Sequence, residues 1–122
     1  MSRIVHFEMS AEDPERMAAF YSKVFGWTFQ KWDGPMEYWM VMTGEGEPGI
    51  NGGMMRREPG KTAQTVNTVG VESVDQTVDA ISQAGGQVLQ PKMPIPGVGY
   101  FAFVQDTEGN QFGLMQSDPA AA

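Results

Sequence analysis

An extended apolar stretch runs from Ile4 to Met9, its polar residues His6 and Glu8 at alternate positions, and a matching β-branched run occurs at Val66–Val71, so each half of the chain opens on a predicted strand. A helical period follows in both halves. In the first, Asp13 is placed to cap a helix with Pro14 at its first position. Met17, Phe20, Tyr21 and Val24 then recur at helical spacing before Gly26. In the second, Ser73-Val74-Asp75-Gln76 has capping-box spacing, and Val74, Val78 and Ile81 line one face before Gly85-Gly86. Three extended runs come after each helix. They are Trp27–Lys31, Tyr38–Thr43 and Ile50–Arg56, then Gln87–Gln90, Gly99–Gln105 and Gln111–Gln116.

The pattern is one βαβββ unit used twice. A shift of 60 residues lays Gly26 on Gly86 and Gly49–Met55 on Gly109–Met115, while a shift of 62 lays Tyr38–Val41 on Tyr100–Phe103. Residues 1–57 form the expected first module, 58–62 a linker and 63–117 the second module, with 118–122 an expected disordered tail, all within a single domain. Gly44–Gly49 and Asp106–Asn110 carry hairpin chemistry. Three prolines at 91, 94 and 96, followed by Gly97 and Gly99, predict a semi-rigid loop over 91–99.

Composition narrows the chemistry. The 122 residues include no cysteine and a single histidine, which removes disulfides, thiolate catalysis, cysteine-based metal sites and the paired-imidazole zinc motif. A net charge of −7 repels phosphate backbones and anionic headgroups, so neither nucleic acid nor membrane is an expected partner. With no long apolar run and no leader pattern, a cytoplasmic location is the expectation. Gly44-Glu45-Gly46-Glu47 puts acid where a nucleotide phosphate would bring negative charge, so no phosphate cradle is expected.

Strand alternation puts Ile4, His6 and Glu8 on one face and Val5, Phe7 and Met9 on the other. His6 and Glu8 are therefore the candidate acid–base pair, the imidazole taking or giving a proton and the carboxylate orienting it. By the same alternation Asn51, Gly53 and Met55 share a face, as do Gln111, Gly113 and Met115. Trp32, Tyr38, Trp39, Tyr100 and Phe101 fall on or beside the strands and loops expected to form a rim. Ten methionines add adaptable apolar packing. Expected ligand-binding residues are Trp39, Asn51, Gly53, Met55, Tyr100, Gln111 and Gly113, with Met93 and Ile95 of the 91–99 loop reaching inward.

These residues resemble the vicinal oxygen chelate superfamily, which includes glyoxalase I, bleomycin-resistance proteins and extradiol dioxygenases. The resemblance rests on His6 in the first strand, Asp13-Pro14-Glu15-Arg16 leading to Ala19-Phe20-Tyr21 and Val24-Phe25-Gly26-Trp27, and Asp106-Thr107-Glu108-Gly109-Asn110. It implies an α+β fold in which two βαβββ modules form an open cup-shaped sheet. It also implies a divalent metal held by four side chains from four strands. Those positions fall on His6, Gly53, Val66 and Gly113, and only His6 has a donor atom. No metal site and no cofactor are therefore expected, although His6 and Glu8 with Asn51, Gln111 or Glu37 could supply weak donors.

Two functional readings stay open at this point. One is a protein that binds a small, largely apolar or aromatic molecule in its cup without metal. The other is an enzyme, whether an isomerase, lyase or dioxygenase-like protein, using His6 and Glu8 or a reorganised metal site. The resemblance implies a homodimer, and a purely self-associating module is a third possibility. The sequence is silent on whether the modules pair within one chain or swap between chains.

Overall fold

The computed structural model describes residues 2–122. Its elements run β1 (Arg3–Ala11), α1 (Pro14–Phe25), β2 (Thr28–Lys31), β3 (Trp39–Met42), β4 (Gly52–Arg56), β5 (Thr65–Gly70), α2 (Val74–Gln83), β6 (Gln87–Ile95), β7 (Gly99–Gln105) and β8 (Gln111–Ser117). The fold is α+β and the βαβββ order occurs twice. Contacts divide the described residues into two units, one spanning His6–Thr65 and the other Val66–Ala122 with residues 2–5.

In the His6–Thr65 unit, β1 runs parallel to β4 with Glu8 opposite Gly53 and Met9 opposite Met54. β3 pairs antiparallel with both β4 and β2. Asp13 caps α1 by accepting a hydrogen bond from the Arg16 amide at 3.1 Å, and Gly26 ends the helix at φ 76°, a left-handed conformation that costs glycine little. The helix covers a core of Met9, Ala11, Val41 and Met54. Complete burial of Val41 and Met54 contributes about 1.5–3 kcal/mol each. Of the predicted helical stripe, Met17 and Tyr21 face this core, whereas Phe20 and Val24 are exposed. The reason is geometric: the covered arc runs through Met17, Ala18 and Tyr21, and Phe20 lies one residue beyond it, edge-on against Tyr21 at 5.1 Å.

The second unit repeats the plan. β5 runs parallel to β8 with Thr68 opposite Gly113, β7 pairs antiparallel with β8, and β6 pairs with β7. Ser73 caps α2 through the Gln76 amide at 3.1 Å, and Val74, Ala102, Val104 and Leu114 form the core.

The structure corrects three details of the expected pattern. The loop expected over 91–99 is largely strand, since β6 continues through Pro91 and Pro94 to Ile95. It can do so because β6 is the outermost strand and its pairing with β7 slips twice, between Val88 and Gln90 and between Gln90 and Met93. An edge strand with bulges accommodates residues that lack an amide proton. The repeat is also offset differently in one place. Met40 lies opposite Gly53 and Phe103 opposite Gly113, so Tyr38 corresponds to Phe101, one residue beyond Tyr100. At the end of the chain, where an unstructured tail was expected, the Asp118 amide bonds the Val98 carbonyl at 2.9 Å. There the Gly97 amide bonds the Ala121 carbonyl at 3.0 Å.

Candidate functional site

The site starts from two adjacent glycines in β4. On the helix side, a Cβ at Gly52 would come within 2.6 Å of the Phe7 ring. On the other side, a Cβ at Gly53 would coincide with the Tyr38 hydroxyl. Both positions lack side chains because aromatic rings take the space. Tyr38 immediately precedes β3, where its carbonyl accepts the Trp32 amide at 2.8 Å and its ring meets Trp32 edge-on at 6.3 Å.

The hydroxyl delivered over Gly53 joins the two candidate residues of β1. His6 Nε2 lies 2.7 Å from Tyr38 Oη, and the Glu8 carboxylate is hydrogen-bonded to the same hydroxyl. Tyr38 has one proton to give. Its bond to Glu8 lowers the acid's pKa and raises its own, which marks the phenol as donor and the carboxylate as acceptor. The remaining contact then has His6 Nε2–H donating to the phenol oxygen. The hydrogen-bond network thus assigns the neutral imidazole a proton on Nε2 and a lone pair on Nδ1.

All three groups are half-buried. Burial lowers the His6 pKa below 6.5, so the imidazole is mainly neutral at pH 7 and competent as a base. Desolvation raises the Glu8 pKa above 4.5, opposed by the hydrogen bond from Tyr38. Burial and the neighbouring Glu8 drive the Tyr38 pKa strongly upward, which keeps its proton in place. The result is a directed chain, imidazole to phenol to carboxylate. It can stabilise an imidazolium formed when Nδ1 takes a proton.

The second module has the same scaffold with different chemistry. Thr68 replaces Glu8, Val66 replaces His6, and Phe101 replaces Tyr38 over Gly113. The equivalent position therefore holds an apolar ring above a threonine.

The other expected site residues are distributed as follows. Asn51 Oδ1 accepts the Thr43 amide at 2.9 Å and closes a hairpin. Glu37 pairs with Arg56 Nε at 2.9 Å on the surface. Trp39 and Tyr100 pack against the two cores, on the sheet faces opposite Gly53 and Gly113, with Lys31 and Lys92 over their outer rings. Met55 is exposed beside Gly53's strand position, Gln111 is exposed at the start of β8, and Met93 lies opposite Phe101 in β6 and meets Gln90. His6, Glu8 and Gly53 are brought together; Trp39 and Asn51 are not brought to them. Tyr38 is the residue that sequence reasoning left on the rim. The signal for it was the glycine pair itself, because a strand glycine invites a close approach and Tyr38 makes that approach. Among the described residues, no three His, Cys, Asp or Glu side chains gather where they could hold a metal ion.

Comparison with known proteins agrees with this architecture. The model of the Glyoxalase/Bleomycin resistance protein/Dioxygenase superfamily matches residues 3–114. A "Probable lactoylglutathione lyase" of Vibrio parahaemolyticus is 28% identical over 130 residues, covering 98% of this chain and 94% of that protein. A "Glyoxylase-like domain-containing protein" of Didymella fabae is 31% identical over 117 residues, covering 92% of this chain and 91% of that protein. The crystal structure of methylmalonyl-CoA epimerase from Mycobacterium tuberculosis superposes with a TM-score of 0.71 at 12% identity. It covers 95% of this chain and 88% of that one, a likeness of fold.

Proposed function

The chain belongs to the Glyoxalase/Bleomycin resistance protein/Dioxygenase superfamily, and from that premise we propose that it is a metal-independent proton-transfer enzyme acting on a small carbon acid. The observation that carries this reading is the Tyr38 hydroxyl seated between His6 and Glu8. His6 Nδ1 removes a proton next to a substrate carbonyl, and the Tyr38–Glu8 arm steadies the imidazolium until the proton is returned. Return to the same carbon after the planar enolate has turned its other face to His6 gives epimerisation, and return to a neighbouring atom gives isomerisation. The names lactoylglutathione lyase and methylmalonyl-CoA epimerase, borne by similar proteins, suggest thioesters as first substrates to try.

The donor set does not fit the metal centre implied by the family resemblance. Gly53, Val66 and Gly113 contribute no donor atoms, and the Tyr38 phenol engages both His6 and Glu8. No step is therefore routed through a metal. The second reading, a binder of a small apolar or aromatic molecule, is favoured by the half-buried Phe101 and Phe103 rings, stacked 6.5 Å apart. We also infer a cytoplasmic homodimer, in which exposed Phe20, Val24 and Phe25 give a second copy apolar surface to cover; sedimentation reports its mass.

The test is deuterium exchange. Methylmalonyl-CoA and lactoylglutathione are incubated with the protein in D2O containing a chelator, and NMR follows label entering the carbon next to the carbonyl. Enzyme-dependent exchange that vanishes in His6→Ala is expected. Exchange that survives His6→Ala, or that appears only when a divalent metal is added, overturns the proposal.

A further inference from the structure

The second module contains a buried hydroxyl that the protein leaves unpaired. Thr68 is 2% exposed, and its Oγ1 has no hydrogen-bond partner among the described residues. An isolated buried hydroxyl is destabilising, because folding has stripped it of water without replacing the lost bond. At the matching place in the first module, Glu8 is satisfied by the Tyr38 hydroxyl. Here the overlying ring is Phe101, which has no hydroxyl to offer.

The Phe101 ring lies beside Thr68, over Gly113. A Cβ at Gly113 would lie 3.2 Å from Thr68 Oγ1 and 2.7 Å from Phe101 Cε2, so ring, glycine and hydroxyl meet at one spot. Gly113 puts no side chain beneath the ring to brace it, and Phe101 is only half-buried. Rotation of Phe101 would uncover a slot with an apolar wall, a flat glycine floor and one hydrogen-bonding group. Neither His6 nor Glu8 has a counterpart here, since the equivalent residues are Val66 and Thr68. An ionic ligand would therefore be desolvated without a compensating charge.

We propose that Thr68, Gly113 and Phe101 form a binding subsite for a neutral, flat molecule bearing a carbonyl oxygen. Phe101 swings aside as the ligand enters, and the Thr68 hydroxyl donates to the carbonyl. The subsite is independent of proton transfer at His6, and it persists whether or not that reading holds.

Acetophenone and ethylbenzene serve as paired probes, alike in shape except for the carbonyl. Each is titrated into the ¹⁵N-labelled full chain while the Thr68 and Gly113 amide resonances are followed. Acetophenone is expected to shift both amides saturably and to bind about fivefold or more tightly than ethylbenzene, the scale of one neutral hydrogen bond. Thr68→Val should erase that preference, Thr68→Ser should keep it, and Phe101→Ala should tighten both probes by removing the cover. The proposal is overturned if neither the native protein nor Phe101→Ala shows a saturable shift. It is equally overturned if Thr68→Val retains the carbonyl preference, or if Thr68→Ser loses it.

Discussion

Tyr38 connects an imidazole to a carboxylate through one oxygen, and its removal is the sharpest probe of that arrangement. Tyr38→Phe keeps the ring over Gly53 and deletes only the bridging hydroxyl, so folding should persist while turnover falls by about 10²-fold or more. The measurement is kcat together with the acidic limb of the pH profile. In the native protein that limb should have its midpoint below pH 6.5, because burial favours the neutral imidazole. Loss of the bridge to Glu8 should shift the midpoint, an effect that a purely structural ring would not produce. Stability follows the same linkage with opposite signs at the two ends of the bridge. Between 6.5 and its lower folded pKa, His6 binds fewer protons folded than unfolded, so acidification through this window destabilises the protein. Glu8 has a folded pKa above 4.5, so acidification through that value restores stability. Denaturation midpoints of native protein and His6→Gln across this range should show the variant losing less stability below pH 6.5.

At the scale of single elements, β4 depends on having no side chain at two successive positions. Gly53→Ala would push Tyr38 off its seat, with an expected cost of about 1–3 kcal/mol from overpacking and a loss of exchange activity matching Tyr38→Phe. Thermal unfolding and the deuterium assay check these outcomes separately. This close approach also marks how far local pattern could reach. Asp13 and Ser73 were readable as caps because the groups they satisfy lie three residues away. The shared face of His6 and Glu8 was readable because strand alternation is strictly local. Tyr38 was recognised only as one of several rim aromatics, since its partner His6 lies 32 residues back in β1 and its seat, Gly53, lies across the sheet in β4. The prolines of β6 misled for a related reason: their local rule excludes a central strand, while the position of β6 in the sheet is a tertiary fact.

The whole molecule is a duplication whose halves keep geometry and exchange chemistry. Both modules preserve the glycine, the overlying ring and the residue paired across from that glycine, Glu8 in one and Thr68 in the other. The residues at the ring and its neighbours set each half's character, giving a polar relay in the first and an apolar cover in the second. Module order and the paired glycines were legible because the repeat preserves its turns. The true correspondence of Tyr38 with Phe101 required the observed strand register, since insertions in flanking loops move β3 and β7 out of step with their neighbours. A double substitution, Tyr38→Phe with Phe101→Tyr, should transfer the satisfied hydroxyl to Thr68 and stabilise the second module while silencing the first. Amide-exchange protection measured residue by residue would reveal the transfer.

The placement of Pro91 and Pro94 in the outermost strand carries one last consequence. Two of the nine backbone positions of β6 have no hydrogen to offer an incoming chain. A stray peptide laid along that margin would find an interrupted ladder, which works against end-to-end fibril growth from a naked sheet border. Replacing both prolines by threonine should make the protein more prone to assemble into ordered deposits on storage, with light scattering and dye binding rising first at high concentration.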